Sequence, residues 1–196
     1  MASLLLRGLS ILKMNLPLFR GFVISSALLI SHDAFAVTFE EIHGDSSLKP
    51  ETFAHYFADF RFVFNAEVQQ PQSFITSRAG DCDDYATFAA SELNARGFHA
   101  RLVSIRMKSI VHVICYVEEA KGYLDYNYRA RGTGIVPCGP GLTEIGDTVA
   151  KSFKAKWTSA SEFTYGDGVK RLVATSLATN HPQLTASASR QQQSAQ

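Results

Sequence analysis

The chain has no surplus of charge of either sign: 19 Lys and Arg stand against 18 Asp and Glu among 196 residues. That balance excludes the basic footprint by which proteins hold nucleic acid, and it gives no basis for binding to an anionic membrane surface. Long apolar runs are also missing. The run from Gly21 to Ile30, ten residues, falls well short of the roughly 20 that a bilayer span needs. No repeat of fixed period appears, which excludes a solenoid or propeller. Cysteine is scarce and odd in number, with only Cys82, Cys115 and Cys138. A dense disulfide framework is therefore excluded, and at least one thiol is left over for another use.

What the N-terminus does contain is a three-part export signature. Lys13 and Arg20 precede the short apolar run, and Ala34-Phe35-Ala36 follows it as an A-x-A cleavage site. Residues 1–36 are accordingly expected to be a signal peptide, with translation starting at Met1 or Met14. The mature protein is expected to be secreted or periplasmic, with no stable membrane span. From Thr185 to Gln196 the chain is almost wholly Ser, Ala and Gln, a composition that cannot bury enough surface to offset ordering. The expected organisation is thus a signal peptide at 1–36, one domain at 37–180 and a disordered tail at 181–196.

Within the domain, Phe53, Phe57, Phe60 and Phe64 recur at spacings of four, three and four after Pro50, which predicts a helix with these rings on its core face. A polar loop is expected at Glu67 to Ser73. Cys82, Ala86, Ala89 and Leu93 repeat the same spacing and Gly97 is a suitable C-terminal stop, predicting a helix over 82–96. Phe98 to Met107 and Val111 to Val117 read as strands, and a turn at Glu118 to Lys121 leads to a third strand at Tyr123 to Tyr128. Glycine and proline between Gly132 and Gly141 predict a long loop. Helices followed by antiparallel strands argue for an α+β fold.

One group of residues has the makings of chemistry. Cys82 falls in the first turn of its predicted helix, where unpaired backbone N–H groups favour a thiolate, the reactive form of the side chain. Asp81, Asp83 and Asp84 oppose that charge, so a base is required. Of the six histidines, His112 is the best candidate, because it opens an apolar strand whose hairpin partner carries Asp125 and Asn127. A four-residue turn puts Val117 opposite Gly122 and leaves Asp125 diagonal to His112. A register two residues longer gives that position to Asn127. Asp125 is preferred. His43, His55, His99 and His181 read as structural, His99 lacking an acid partner. The three aspartates offer oxygen atoms that suit calcium, but acids in a helix's first turn are sufficiently explained by its dipole, so no metal and no cofactor are expected. Cys115 and Cys138 read as a core thiol and a loop thiol, or as a disulfide.

The segment Gly80-Asp81-Cys82-Asp83-Asp84-Tyr85-Ala86, followed by Leu93, Arg96-Gly97-Phe98, Ala100-Arg101, His112-Val113 and Leu124-Asp125, resembles the core of the transglutaminase-like superfamily, most nearly its bacterial cysteine peptidase branch. The resemblance runs from about Phe53 to Asn127. It implies a papain-like α+β core with Cys82 as nucleophile, His112 as base and Asp125 as orienting acid. The backbone N–H of Cys82 would be one oxyanion donor, with Gln69 or Gln70 as candidates for a second. The implied activity is thiol hydrolysis of an amide or peptide, with a protein or cell-wall peptide as substrate and the protein acting as a monomer. Transglutaminase-type acyl transfer and a non-catalytic binding module are the alternatives on the same fold.

Overall fold

The computed structural model describes residues 37–166 and 168–179. The expected signal peptide and tail lie outside the described residues. The chain begins with α1 (Phe39–Gly44), α2 (Pro50–Tyr56), β1 (Arg61–Phe62), α3 (Pro71–Ser77), β2 (Ala79–Gly80) and α4 (Cys82–Asn94). Next come β3 (Ala100–Met107), β4 (Val111–Val117), β5 (Gly122–Leu124), β6 (Ile135–Pro137), α5 (Leu142–Ser152), β7 (Trp157–Gly166) and β8 (Val169–Leu177). Strands β3 to β8 form one antiparallel sheet in the order β6-β5-β4-β3-β7-β8. The fold is α+β, as expected. Among the described residues no helix is long and apolar enough to cross a membrane.

Strand β4 shows how the pattern builds the layers. Val113, Cys115 and Val117 face one side and join the core under α4, while Ile114 and Tyr116 face the other and join the core under α5. The period of two thus feeds both faces of a sheet covered on each side, which is why β4 reads as an unbroken apolar run from Val113 to Val117. Cys115 and Cys138 belong to these different cores, and both thiols are free. No disulfide joins them.

The predicted long N-terminal helix is shorter than its spacing suggested. Helix α2 ends at Tyr56; Phe60 remains buried beyond it, whereas Phe64 is 77% exposed and so is not a core residue. The cause is Arg129, which takes the helix's place as hydrogen-bond partner. Its guanidinium donates to the carbonyl of Phe57 at 2.7 Å and to those of Phe60 and Tyr126, and lies over the Tyr126 ring. The chain then turns into β1, which pairs in parallel with β2. Removing Arg129 would strand the carbonyls of Phe60 and Tyr126, each costing about 1–3 kcal/mol when left unpaired. Arg129→Ala should therefore lose at least about 2 kcal/mol of stability in urea denaturation, more than an exposed substitution such as Lys108→Ala.

Other departures have local causes. The expected polar loop contains the start of α3, with Pro71 in its first turn, where the missing N–H costs nothing. The strand after the hairpin stops at Leu124 because the Asp125 side chain accepts from the backbone N–H of Asn127 at 2.8 Å, turning the chain at once. The glycine-rich loop holds β6, paired to β5.

Candidate active site

Helix α4 starts where it does because Asp81 caps it. The Asp81 carboxylate accepts from Asp83 N at 3.2 Å, and Asp84 returns the favour by accepting from Asp81 N at 3.0 Å, a reciprocal capping box. Gly80 is required just before it: a Cβ there would lie 2.6 Å from both Asp84 Oδ2 and the Phe74 ring. Gly97, at φ +83°, ends the turn after the helix in the left-handed region, with Phe98 N donating to Leu93 O at 3.1 Å. Cys82 is thereby fixed as the first residue of α4, half-buried at the edge of the core.

His112 opens β4 and is 5% exposed. The hairpin has the shorter register, with Val117 opposite Gly122 and Cys115 opposite Leu124, so Asp125 follows β5 beside His112. His112 Nε2 lies 3.0 Å from Asp125 Oδ1, although its N–H is not aligned for a hydrogen bond. The imidazole lines the same cleft as Cys82, whose thiol acts on its charge, and it meets the Phe153 ring, centroids 4.8 Å apart. Cys82, His112 and Asp125 are therefore brought together. Asn127, the alternative to Asp125, approaches it only through its backbone and turns its side chain to the cleft.

The electrostatics favour a charged imidazole. Burial alone would push His112 down, but the adjoining Asp125 carboxylate and Cys82 thiol outweigh it and raise its pKa to about 10. Asp125 is fully buried, and its Oδ2 has no hydrogen-bond partner among the described residues. The aspartates around Cys82 are less hostile than their number suggests. Asp84 accepts from Gln69 N at 2.7 Å, Gln69 Nε2 at 2.8 Å and Asn65 Nδ2 at 3.2 Å. Asp81 accepts from Asn65 N at 3.0 Å. These two acids hold the 65–69 segment against the helix. Burial, then the hydrogen bond with Asp81 and the charges of Asp81 and Asp84, raise Asp83 to about 7. The three carboxylates lie within 4.8 Å of one another, but the capping and anchoring bonds account for Asp81 and Asp84.

Some expectations fall away. The Gln69 amide is committed to Ala79 O at 3.0 Å and to Asp84, so it cannot serve as a second oxyanion donor, and Gln70 lines a neighbouring depression with Gln69 rather than the cleft of Cys82. His99 does have an acid partner: the β4–β5 turn brings Glu119 back beside the start of β3, with Oε1 2.6 Å from Nδ1. That pair sits on the surface. His43 likewise meets Glu92, at 3.2 Å. The residues that sequence reading missed come from distant segments: Phe62, Phe64, Asn65, Phe153 and Lys170 all line a cleft of about 630 Å³ with Cys82 and His112. No spacing pattern links them.

A cysteine at the N-terminus of a helix, packed on an antiparallel sheet that supplies a histidine, is the architecture of the papain-like cysteine enzymes. Residues 36–126 match the family model described as a transglutaminase-like domain, which supports the transglutaminase-like superfamily for this part of the chain. The match spans Cys82, His112 and Asp125, and β6, α5, β7 and β8 lie beyond it. No curated protein and no solved structure matches the chain.

Proposed function

We propose that the protein is an exported thiol hydrolase, a cysteine peptidase or amidase, in which Cys82 is the nucleophile, His112 the general base and acid, and Asp125 the positioning acid. The observation that carries this reading is Cys82 on the first turn of α4, with His112 on the same cleft and Asp125 3.0 Å from the imidazole. Cys82 Sγ attacks the amide carbonyl carbon, forming an S–C bond, and the tetrahedral oxyanion is met by the Cys82 backbone N–H, which as the first helical N–H has no intrahelical partner. Collapse breaks the C–N bond. His112 gives its proton to the departing amine, leaving a thioester; it then takes a proton from water as the hydroxide adds to the thioester carbon, and the S–C bond breaks to release the acid and return Cys82 as a thiolate beside the imidazolium.

Whether water or an amine opens the thioester separates hydrolysis from acyl transfer. Hydrolysis is proposed because every element of the reading is needed for it and no acceptor subsite is required. The substrate is a protein or a cell-wall peptide, reached in the secreted or periplasmic compartment that the signal sequence supports. The test is to incubate the mature protein with a mixture of extended peptides, with and without a primary amine, and analyse products by mass spectrometry. New peptide termini that vanish in Cys82→Ala are expected. Only amine-linked products would instead establish transfer, and no product with either acceptor would favour the binding module.

A further inference from the structure

We propose that the cleft beside Cys82 carries an apolar subsite, walled by Phe62 and Phe64 on one side and Ile110 and Val111 on the other, which takes a bulky apolar side chain next to the bond under attack. This specificity rests on the reading of Cys82 as nucleophile. Phe64 is 77% exposed and Phe62 62%, and Ile110 and Val111 are exposed as well, yet all four line the one cleft that contains Cys82 and His112. A group of exposed apolar side chains gathered in one cleft, rather than scattered singly over the surface, marks a ligand-binding groove.

Both walls are fixed by the segments that fix the chemistry. Val63 N donates to Gly80 O at 2.9 Å and Asn65 N to Asp81 Oδ2 at 3.0 Å, so the segment bearing the two phenylalanines is stitched to the residues leading into Cys82. The Phe62 ring rests 6.3 Å from that of Tyr126, whose hydroxyl donates to Arg61 O at 2.7 Å. Ile110 and Val111 immediately precede His112, and Met107 N donates to Ile110 O at 2.8 Å to hold their turn. An apolar group bound between these walls is presented to the thiol without reorganisation of the site. The occupant is a peptide segment: Asn127 on the cleft has a side-chain amide that forms no hydrogen bond among the described residues, and it offers both a donor and an acceptor to a backbone amide.

The experiment compares iodoacetamide with N-benzyl iodoacetamide and N-carboxymethyl iodoacetamide on the mature protein, reading alkylation of Cys82 by mass spectrometry and normalising each reagent by its rate with glutathione. The benzyl reagent should gain roughly tenfold at Cys82 over the parent, the scale that a filled hydrophobic pocket contributes, and the carboxymethyl reagent should gain nothing. Phe64→Ser and Ile110→Ser should each cut the benzyl-to-parent ratio severalfold; both positions are exposed enough to leave folding intact, which a thermal melt checks. A normalised ratio near one in the wild type, or a ratio untouched in both variants, overturns the subsite. Parent iodoacetamide reacting no faster with Cys82 than with glutathione would instead overturn the nucleophile.

Discussion

Replacing His112 by Ala should lower hydrolysis by roughly 10³-fold or more, and the double variant with Cys82→Ala should be no worse than either single change. The reason is that neither group is useful alone. Cys82 lies beside Asp83 and between Asp81 and Asp84, so a thiolate there needs the imidazolium that Asp125 and Cys82 together stabilise. Without His112 the leaving amine would also have no proton source. Alkylation of Cys82 by iodoacetamide at neutral pH should slow in parallel, whereas buried Cys115, whose burial pushes its thiol up, should stay unreactive in both proteins. His112 also packs on Phe153, so His112→Asn serves as a second variant should the alanine loosen the fold. Additive losses in the double variant, or unchanged Cys82 alkylation, would show that the two residues do not act as a unit.

The parts of this architecture that the sequence makes legible are those encoded by local periodicity. Helix α4 reads from Cys82, Ala86, Ala89 and Leu93, and its ends are written in Asp81 and Gly97. Strand β4 reads to the residue, and the β4–β5 register follows from a four-residue turn, which is enough to bring Asp125 rather than Asn127 to His112. Legibility fails where a distant side chain decides local structure. Arg129 ends α2 by taking carbonyls that a continuing helix would have paired, and nothing between Phe53 and Phe64 signals it. Strand β8 is exposed along almost its whole length and exists by pairing with β7, so it has no buried face to impose an alternating pattern. Helix α5 did carry a signal, Leu142, Ile145 and Val149 at helical spacing, obscured by the run of glycines and prolines before it. In the site, the Cys, His and Asp were visible as residue types in a recognisable order; the walls of the cleft were not, because they are assembled from both ends of the domain.

Replacing Asp125 by Ala should move the protonation of His112 down and take most of the activity with it. In the intact protein burial disfavours the imidazolium, while Asp125 and Cys82 favour it and prevail, so that the ring keeps its proton up to about pH 10. A group whose pKa is raised on folding stabilises the fold fully below its unfolded value, near 6.5, and loses that contribution as pH rises through the folded value. With Asp125 gone, its charge 3.0 Å from the ring vanishes, burial remains, and the proton should come off at distinctly lower pH. Direct observation of the His112 ring proton by NMR across pH 5 to 11 checks the direction, flagged here against His112→Asn for assignment. Activity should fall by roughly 10²-fold or more, because the ring loses both its orientation and its charge. Asp125→Glu should recover part of the raised titration, since it restores the charge at an altered reach, which a merely structural role for the side chain would not produce. Asn127→Ala should leave the titration of His112 nearly where it was, because its contact with Asp125 is made by the backbone N–H, which the substitution keeps. If Asn127→Ala shifted the titration and Asp125→Ala did not, the positioning role would pass to Asn127 and the hairpin register would no longer explain the site.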